Sequence, residues 1–214
     1  MLFCLNKRLP TKILVHGWLV DRQGRKGSKS KGNVIDPLEL LKKYPRDLLR
    51  AYFITRINFL QDGVCDEDLL KEFYHEFLVN NLSNLVSRTH RMLHLYNGGV
   101  VPEMPEYPLE LNEKLKNYHQ QCDSAIKEFQ KKMNRYELTE AFSQIQNLLE
   151  VSNKLISDLT PWKLYEKGDT ALLNLTLNYL VNGIKIAAFL LDPIIPETSQ
   201  QILAKFNLNH RQLN

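Results

Sequence analysis

The chain has 214 residues, 43% of them hydrophobic and 24% charged, the balance of a soluble globular protein, which excludes a disordered or fibrous one. Its 28 Lys and Arg against 24 Asp and Glu leave a formal charge of +4, which permits a nucleic-acid partner without requiring one. Three cysteines, Cys4, Cys65 and Cys122, are far apart and odd in number, so neither a disulfide framework nor a Cys-x-x-Cys zinc site is supported and a reducing cytoplasm is expected.

Met1–Leu5 is apolar, but Lys7 and Arg8 follow at once, so no stretch of signal-peptide length is present. Lys12–Val20 is rich in β-branched and apolar residues and ends in Asp21-Arg22-Gln23-Gly24, which predicts a strand running into a tight turn. From Arg25 to Asn33 the chain is Gly, Ser, Lys, Arg and a final Asn with no apolar residue, an exposed loop. Asp36-Pro37-Leu38-Glu39 has the order of a helix start, with Asp36 as cap, Pro37 in the first turn and Glu39 placed for a capping box. A short helix to Tyr44 and a second one after Pro45, through Leu48, Leu49, Tyr52, Phe53 and Ile57, follow from helical spacing.

A turn at Gln61-Asp62-Gly63 marks an expected boundary near residue 62, after which the patterns are helical throughout. Leu70, Phe73, Phe77, Leu85 and Met92 give one apolar face to a helix from about Asp66 to Tyr96, stopped by Asn97-Gly98-Gly99. Val100–Pro108, with three prolines, reads as a linker. Helical patterns resume over Leu111–Met133, Glu137–Leu159 and Asp169–Leu191, and again after Pro193 and Pro196. The run Ala171–Leu191 is the most apolar, but Asn174, Asn178, Asn182 and Lys185 interrupt it on several faces, which favours the centre of a bundle over a bilayer.

Chemistry concentrates in two places. Arg25, Lys26, Lys29 and Lys31 interleave with glycines and with Ser28 and Ser30, so cationic heads and hydroxyl donors sit on a pliable backbone that suits a polyphosphate; a solvated surface loop has the same composition. On the long helix, Asn84 and Arg88 are four residues apart and share a face, offering an amide and a planar guanidinium to base edges. Trp162, after Pro161, can present its indole to an unpaired base. A salt-bridged surface arginine and a core tryptophan are the structural alternatives. The six histidines read as surface residues, and no metal ligand set is expected.

The order of the residues goes further. Lys26-Gly27-Ser28-Lys29-Ser30, preceded by His16-Gly17-Trp18-Leu19 and followed by Lys31-Gly32-Asn33-Val34-Ile35-Asp36-Pro37, resembles the Lys-Met-Ser-Lys-Ser signature of class I aminoacyl-tRNA synthetases. Within that class it is most similar to the methionyl-tRNA synthetases, a resemblance that continues through Asn80–Arg88, Leu159–Leu164 and Leu191–Thr198 and so spans nearly the whole chain. The resemblance implies a loop whose second lysine, here Lys29, stabilises the phosphates of ATP, held with Mg2+, while methionine attacks to form methionyl-adenylate. Lys26 shares this catalytic role, and Lys26, Ser28, Lys29 and Ser30 contact ATP. It also implies that Asn84, Arg88 and Trp162 read the anticodon. Gly27 replaces the family's Met and removes an apolar side chain, so the closed loop is harder to hold.

The expected architecture is mainly α: a small α/β fragment at residues 1–62, the end of a catalytic domain carrying the loop, and an antiparallel helical bundle at 63–214 that binds the anticodon. The nucleotide-binding sheet with its His-Ile-Gly-His element, and the family's zinc-binding insertion, would lie in a missing N-terminal half. The chain alone is therefore expected to bind methionine tRNA without catalysing its charging, as a cytoplasmic monomer without membrane contact. A stand-alone tRNA-binding module, a fragment of another class I synthetase, and a helical interaction protein with no RNA role stay open beside this reading.

Overall fold

The computed structural model describes residues 8, 10–26, 36–57, 61–103 and 112–208. Helix dominates it. Two short strands, β1 (Leu19–Val20) and β2 (Gly63–Val64), pair in parallel, with Leu19 beside Gly63 and Val20 beside Val64. The strand expected from Lys12 is realised only in its last two residues, because a strand exists as a ladder and residues 12–17 have none beside them among the described residues. Gly17 lies against the backbone of Gln61 and Asp62 so closely that a Cβ there would overlap it. That close approach lets Gly63 N–H donate to Trp18 O at 2.8 Å and so starts the pairing.

Two short helices follow, α1 (Pro37–Lys43) and α2 (Arg46–Arg56). Asp36 caps α1 by accepting from Leu38 N–H at 2.8 Å. Glu39 does not close the expected capping box; Lys42 Nζ holds it at 2.6 Å instead. Next comes one long helical rod made of α3 (Glu67–Phe73), a π-helical segment (Tyr74–Ser83) and α4 (Asn84–Asn97), which covers the predicted helix. Asp66 opens it, accepting from the N–H groups of Asp68 and Leu69. Gly98, in the left-handed conformation, ends it.

The remaining helices are α5 (Glu113–Asn134), α6 (Leu138–Leu159), α7 (Pro161–Glu166), α8 (Thr170–Leu191) and α9 (Pro196–Lys205). A three-residue turn joins α5 to α6. The first turn of α5 reaches the last of α6, Lys114 Nζ donating to Asp158 O at 2.8 Å, so these two helices run antiparallel. Between them, Tyr118 Oη and Ser152 Oγ share a buried hydrogen bond of 2.7 Å, and burial pushes the Tyr118 phenol well above its ordinary pKa. Phe73, Phe77 and Phe142 form a ring cluster that binds the rod to α6, with centroids 4.7 Å apart for Phe77 and Phe142.

The helix α8 is long and apolar enough to cross a bilayer, yet most of it is buried inside the molecule, in the central position its sequence predicts. One of its polar interruptions has a structural use: Asn178 donates to Pro102 O at 2.7 Å and accepts from Asn182 at 2.7 Å, tying the start of the linker to the core. The α/β end is fastened to the bundle through α2. Asp47 accepts from Thr198 N–H at 2.7 Å and caps α9 from outside, while Arg50 donates to Ile194 O at 2.6 Å and to Pro193 O at 2.9 Å.

Candidate nucleic-acid interface

At the α/β end, the turn after β1 is closed by one side chain. Asp21 Oδ1 accepts from the N–H groups of Gln23 and Arg25 at 3.0 and 2.9 Å, and Oδ2 from Arg25 Nε at 2.8 Å. The chain folds back so that Lys26 pairs with Val20, and Lys26 Nζ lies 4.2 Å from the centroid of the Trp18 ring. Lys26 is thus presented at the mouth of this turn. Ser28, Lys29 and Ser30, the other members of the expected phosphate-binding set, and Gly27 lie outside the described residues.

The second set lies at the other end. Three contacts fix how α6 and α7 travel beside the rod: Phe142 on Phe77, Asn153 on Asn81, and Tyr165 on Tyr96. Passing from 142 to 165 therefore advances from 77 to 96, so the turn at Thr160 that delivers Trp162 runs past the part of α4 that carries Arg88. The structure brings these two to one end of the helical part, with Asn84 one turn before Arg88. Asn84 is exposed and opens α4 where the π-helical segment stops, its N–H donating to Asn81 O. Asn153 Nδ2 donates to both the main-chain and side-chain oxygens of Asn81, at 3.3 and 3.1 Å, and steadies the wide turns just ahead of Asn84.

Arg88 is half-buried and has neither hydrogen bond nor ion pair with the described residues, unlike an ordinary surface arginine. Trp162 is not a core residue. It is 38% exposed, because the left-handed Thr160 (φ 45°) and Pro161 at the start of α7 bury Pro161 and turn the indole outward.

Sequence reasoning missed Tyr96 and Tyr165, whose rings stack at 4.7 Å beside Trp162; the Trp-x-x-Tyr spacing in α7 was the available signal. His90 and His94, which share a helix face by their spacing, are in contact. Their Nε2 atoms are 3.2 Å apart and His90 packs edge-on to Phe206. Burial, and then the neighbouring His94, hold His90 below the ordinary histidine pKa. Among the described residues no three His, Cys, Asp or Glu converge as a metal site.

Comparison with known proteins gives this geometry a family. Residues 1–90 match the family model for class I (M) tRNA synthetases, and residues 103–214 match that for the anticodon binding domain of methionyl tRNA ligase. A methionine–tRNA ligase of Ureaplasma parvum is 36% identical over 205 residues, covering 96% of this chain and 39% of the relative. One from Mycoplasmopsis pulmonis is 38% identical over 201 residues, covering 92% and 38%. Mycobacterium tuberculosis methionyl-tRNA synthetase in complex with methionyl-adenylate superposes with a TM-score of 0.88 at 27% identity, over 99% of this chain and 41% of that one. The chain thus spans about two-fifths of the length of these relatives. With residues 1–90, Asn84 and Arg88 among them, matched by the synthetase model and residues 103–214 by the anticodon-domain model, the chain belongs to the methionyl-tRNA ligase family of class I tRNA synthetases.

Proposed function

We propose that this chain works as part of a methionine–tRNA ligase, the part that holds methionine tRNA by its anticodon and carries the loop that meets the phosphates of ATP. The observation that supports the reading is an exposed indole on α7, the helix that stacks Tyr165 on Tyr96 of α4, together with a half-buried guanidinium on α4 that has no protein partner among the described residues. Stacking on Trp162 supplies affinity, while Arg88 and Asn84 discriminate base edges by directional hydrogen bonds. In this reading residues 63–214 form an antiparallel anticodon-binding bundle and residues 1–62 the end of a catalytic domain.

Catalysis requires a nucleotide-binding half, and this chain offers a surface for one. Ile13 and Val15 are 77% and 71% exposed, beside exposed Leu14 and Leu19, on a segment with the composition of a strand. The donor set of the loop fits a nucleoside triphosphate: ammonium groups on Lys26 and Lys29 and hydroxyls on Ser28 and Ser30 would hold the phosphates. Bound there with Mg2+, ATP supplies the activated phosphoryl group, and the lysines offset charge as pyrophosphate leaves. Lys26, held over Trp18, is the residue that must move to reach it. We place the protein in the cytoplasm as a monomer.

Fluorescence anisotropy with methionine tRNA, against the same tRNA bearing a different anticodon, tests the reading. Selective binding is expected, and Trp162→Ala should weaken it by about tenfold or more. Equal binding of both tRNAs would refute anticodon recognition. The chain alone should give no ATP–pyrophosphate exchange.

A further inference from the structure

Beside Trp162 the same face carries a second aromatic surface. Tyr165 follows Trp162 by three residues in α7, so both rings leave one side of the helix, with Cβ atoms roughly 5–6 Å apart. One side of the Tyr165 ring is covered by Tyr96 of α4, the planes 29° apart and the centroids at 4.7 Å. Yet Tyr165 remains 54% exposed. A pair serving only to clasp α7 to α4 would gain by burying both rings, whereas here the outer one is braced from behind and left open in front. A ring braced in this way is already ordered, so a base stacking on it costs little side-chain entropy.

The charges around this face point the same way. Arg91, Lys163 and Lys167 are exposed and, like Arg88, have no ion pair with the described residues. Some cations elsewhere are matched, Arg22 with Asp66, Arg25 with Asp21, Lys43 with Glu67, Arg56 with Glu76 and Lys132 with Glu137, and others, such as Lys116, Lys127, Lys154 and Lys205, have no ion pair with the described residues either; what sets this face apart is that its unpaired cations flank open rings. Cations without protein partners among open aromatic rings are what a single-stranded nucleic acid binds, phosphates on the ammonium groups and bases on the rings.

We propose that Tyr165, braced by Tyr96, is a second base-stacking platform, taking the unpaired nucleotide adjacent to the one on Trp162, while Lys163 and Lys167 meet the connecting phosphates. The proposal rests on the anticodon reading above and extends it from one stacked base to two. Trp162 and Tyr165 together then set the path of the loop across α7.

The test uses the full chain and an RNA hairpin carrying the methionine anticodon loop, intact and as a series in which each loop nucleotide in turn lacks its base. Tyr165→Ala should weaken the intact hairpin about tenfold, and Tyr165→Phe should not, since the ring face rather than the hydroxyl acts. Tyr165→Leu preserves an apolar contact with Tyr96 and should bind as weakly as the alanine variant, which separates lost stacking from lost folding. One base-less hairpin should be insensitive to Tyr165→Ala, and it should neighbour the one insensitive to Trp162→Ala. Unchanged affinity in Tyr165→Ala, or an equal loss on every base-less hairpin, would overturn the proposal while leaving the anticodon reading intact. If Trp162→Ala also changes nothing, the anticodon reading fails with it.

Discussion

The two ends of this molecule solve opposite problems. Around Trp162 the helical part is complete as a packed body: α8 runs buried through its centre, and what it leaves outside is a set of open rings and cations without ion pairs. Around Lys26 the balance is reversed. There Arg22 and Arg25 are neutralised by Asp66, Asp68 and Asp21, and it is the apolar side chains of Ile13, Leu14, Val15 and Leu19 that lie uncovered. A surface with its charges to spare suits a polyanion, and a surface with its hydrophobic residues to spare suits another protein surface. The contrast is what the proposed function requires, with RNA at one end and the rest of the enzyme at the other.

It also predicts where stability resides. The bundle should respond to packing errors with large losses, and Gly183 is the sharpest case: a Cβ there would overlap the Tyr118 hydroxyl, with Ser152 Oγ at 3.3 Å. Gly183→Ala must displace a buried phenol that is hydrogen-bonded to Ser152, so overpacking adds to a broken buried hydrogen bond, together about 3 kcal/mol. The thermal midpoint should fall by on the order of 10 °C. Tyr118→Phe in the same chain removes the offending oxygen and should recover part of the loss, because Ser152 Oγ still donates to Leu148 O. A midpoint unmoved by Gly183→Ala would mean that the centre of the bundle is looser than the distances state.

At the α/β end a comparable test must act on polar contacts. Asp66 holds Arg22 at 2.6 Å and caps α3. Hydrogen bonding from Arg22, and then from the Leu69 and Asp68 amides, holds its carboxyl below the ordinary range. A lowered folded pKa means a contribution fully present above the unfolded value, about 4, and lost as pH falls through the folded value. Asp66→Ala should therefore cost about 1 kcal/mol at pH 7 and flatten the decline in stability below about pH 4. Amide exchange at Cys65, whose N–H donates to Val20 O at 3.0 Å, should quicken, since the cap and the sheet share this corner. An unaltered pH profile would show that Asp66 does not hold the two strands to α3.

The sequence made the helices readable because their signals are local. Apolar spacing of 3.6 residues, Asp66 ahead of α3 and Gly98 after α4 are written in neighbouring residues, and α8 announces its central place by being apolar on nearly every side. What escaped was what distant residues do to one another. No spacing reveals that Asp47 caps α9 across 151 positions, that a Gly-Val pair forms β2, or that Tyr165 finds Tyr96. The π-helical turns ahead of Asn84 likewise take a hydrogen bond from Asn153 on another helix. The candidate binding residues are an intermediate case: Arg88 and Trp162 are legible through resemblance to a family, and only the packing of α6 and α7 sets them on neighbouring helices. Gly27, Ser28, Lys29 and Ser30 rest on the sequence alone.

The smallest expected effect concerns Lys26. Its ammonium over the Trp18 ring is a cation–π contact at a site where the indole is 60% exposed, worth about 0.5–1 kcal/mol. That is enough to bias where Lys26 rests and too little to stabilise the fold, as the proposed phosphate-binding role of Lys26 requires. Lys26→Ala should therefore shift the thermal midpoint by no more than about 4 °C. In a Trp162→Phe background, where Trp18 is the sole remaining tryptophan, its emission should change, since the ring loses a cation at 4.2 Å. Inorganic tripolyphosphate should produce a change in the same direction in the Lys26 chain and none in Lys26→Ala. A fall of many degrees on Lys26→Ala would instead make this contact structural, and the α/β end would then hold its lysine as firmly as it holds its arginines.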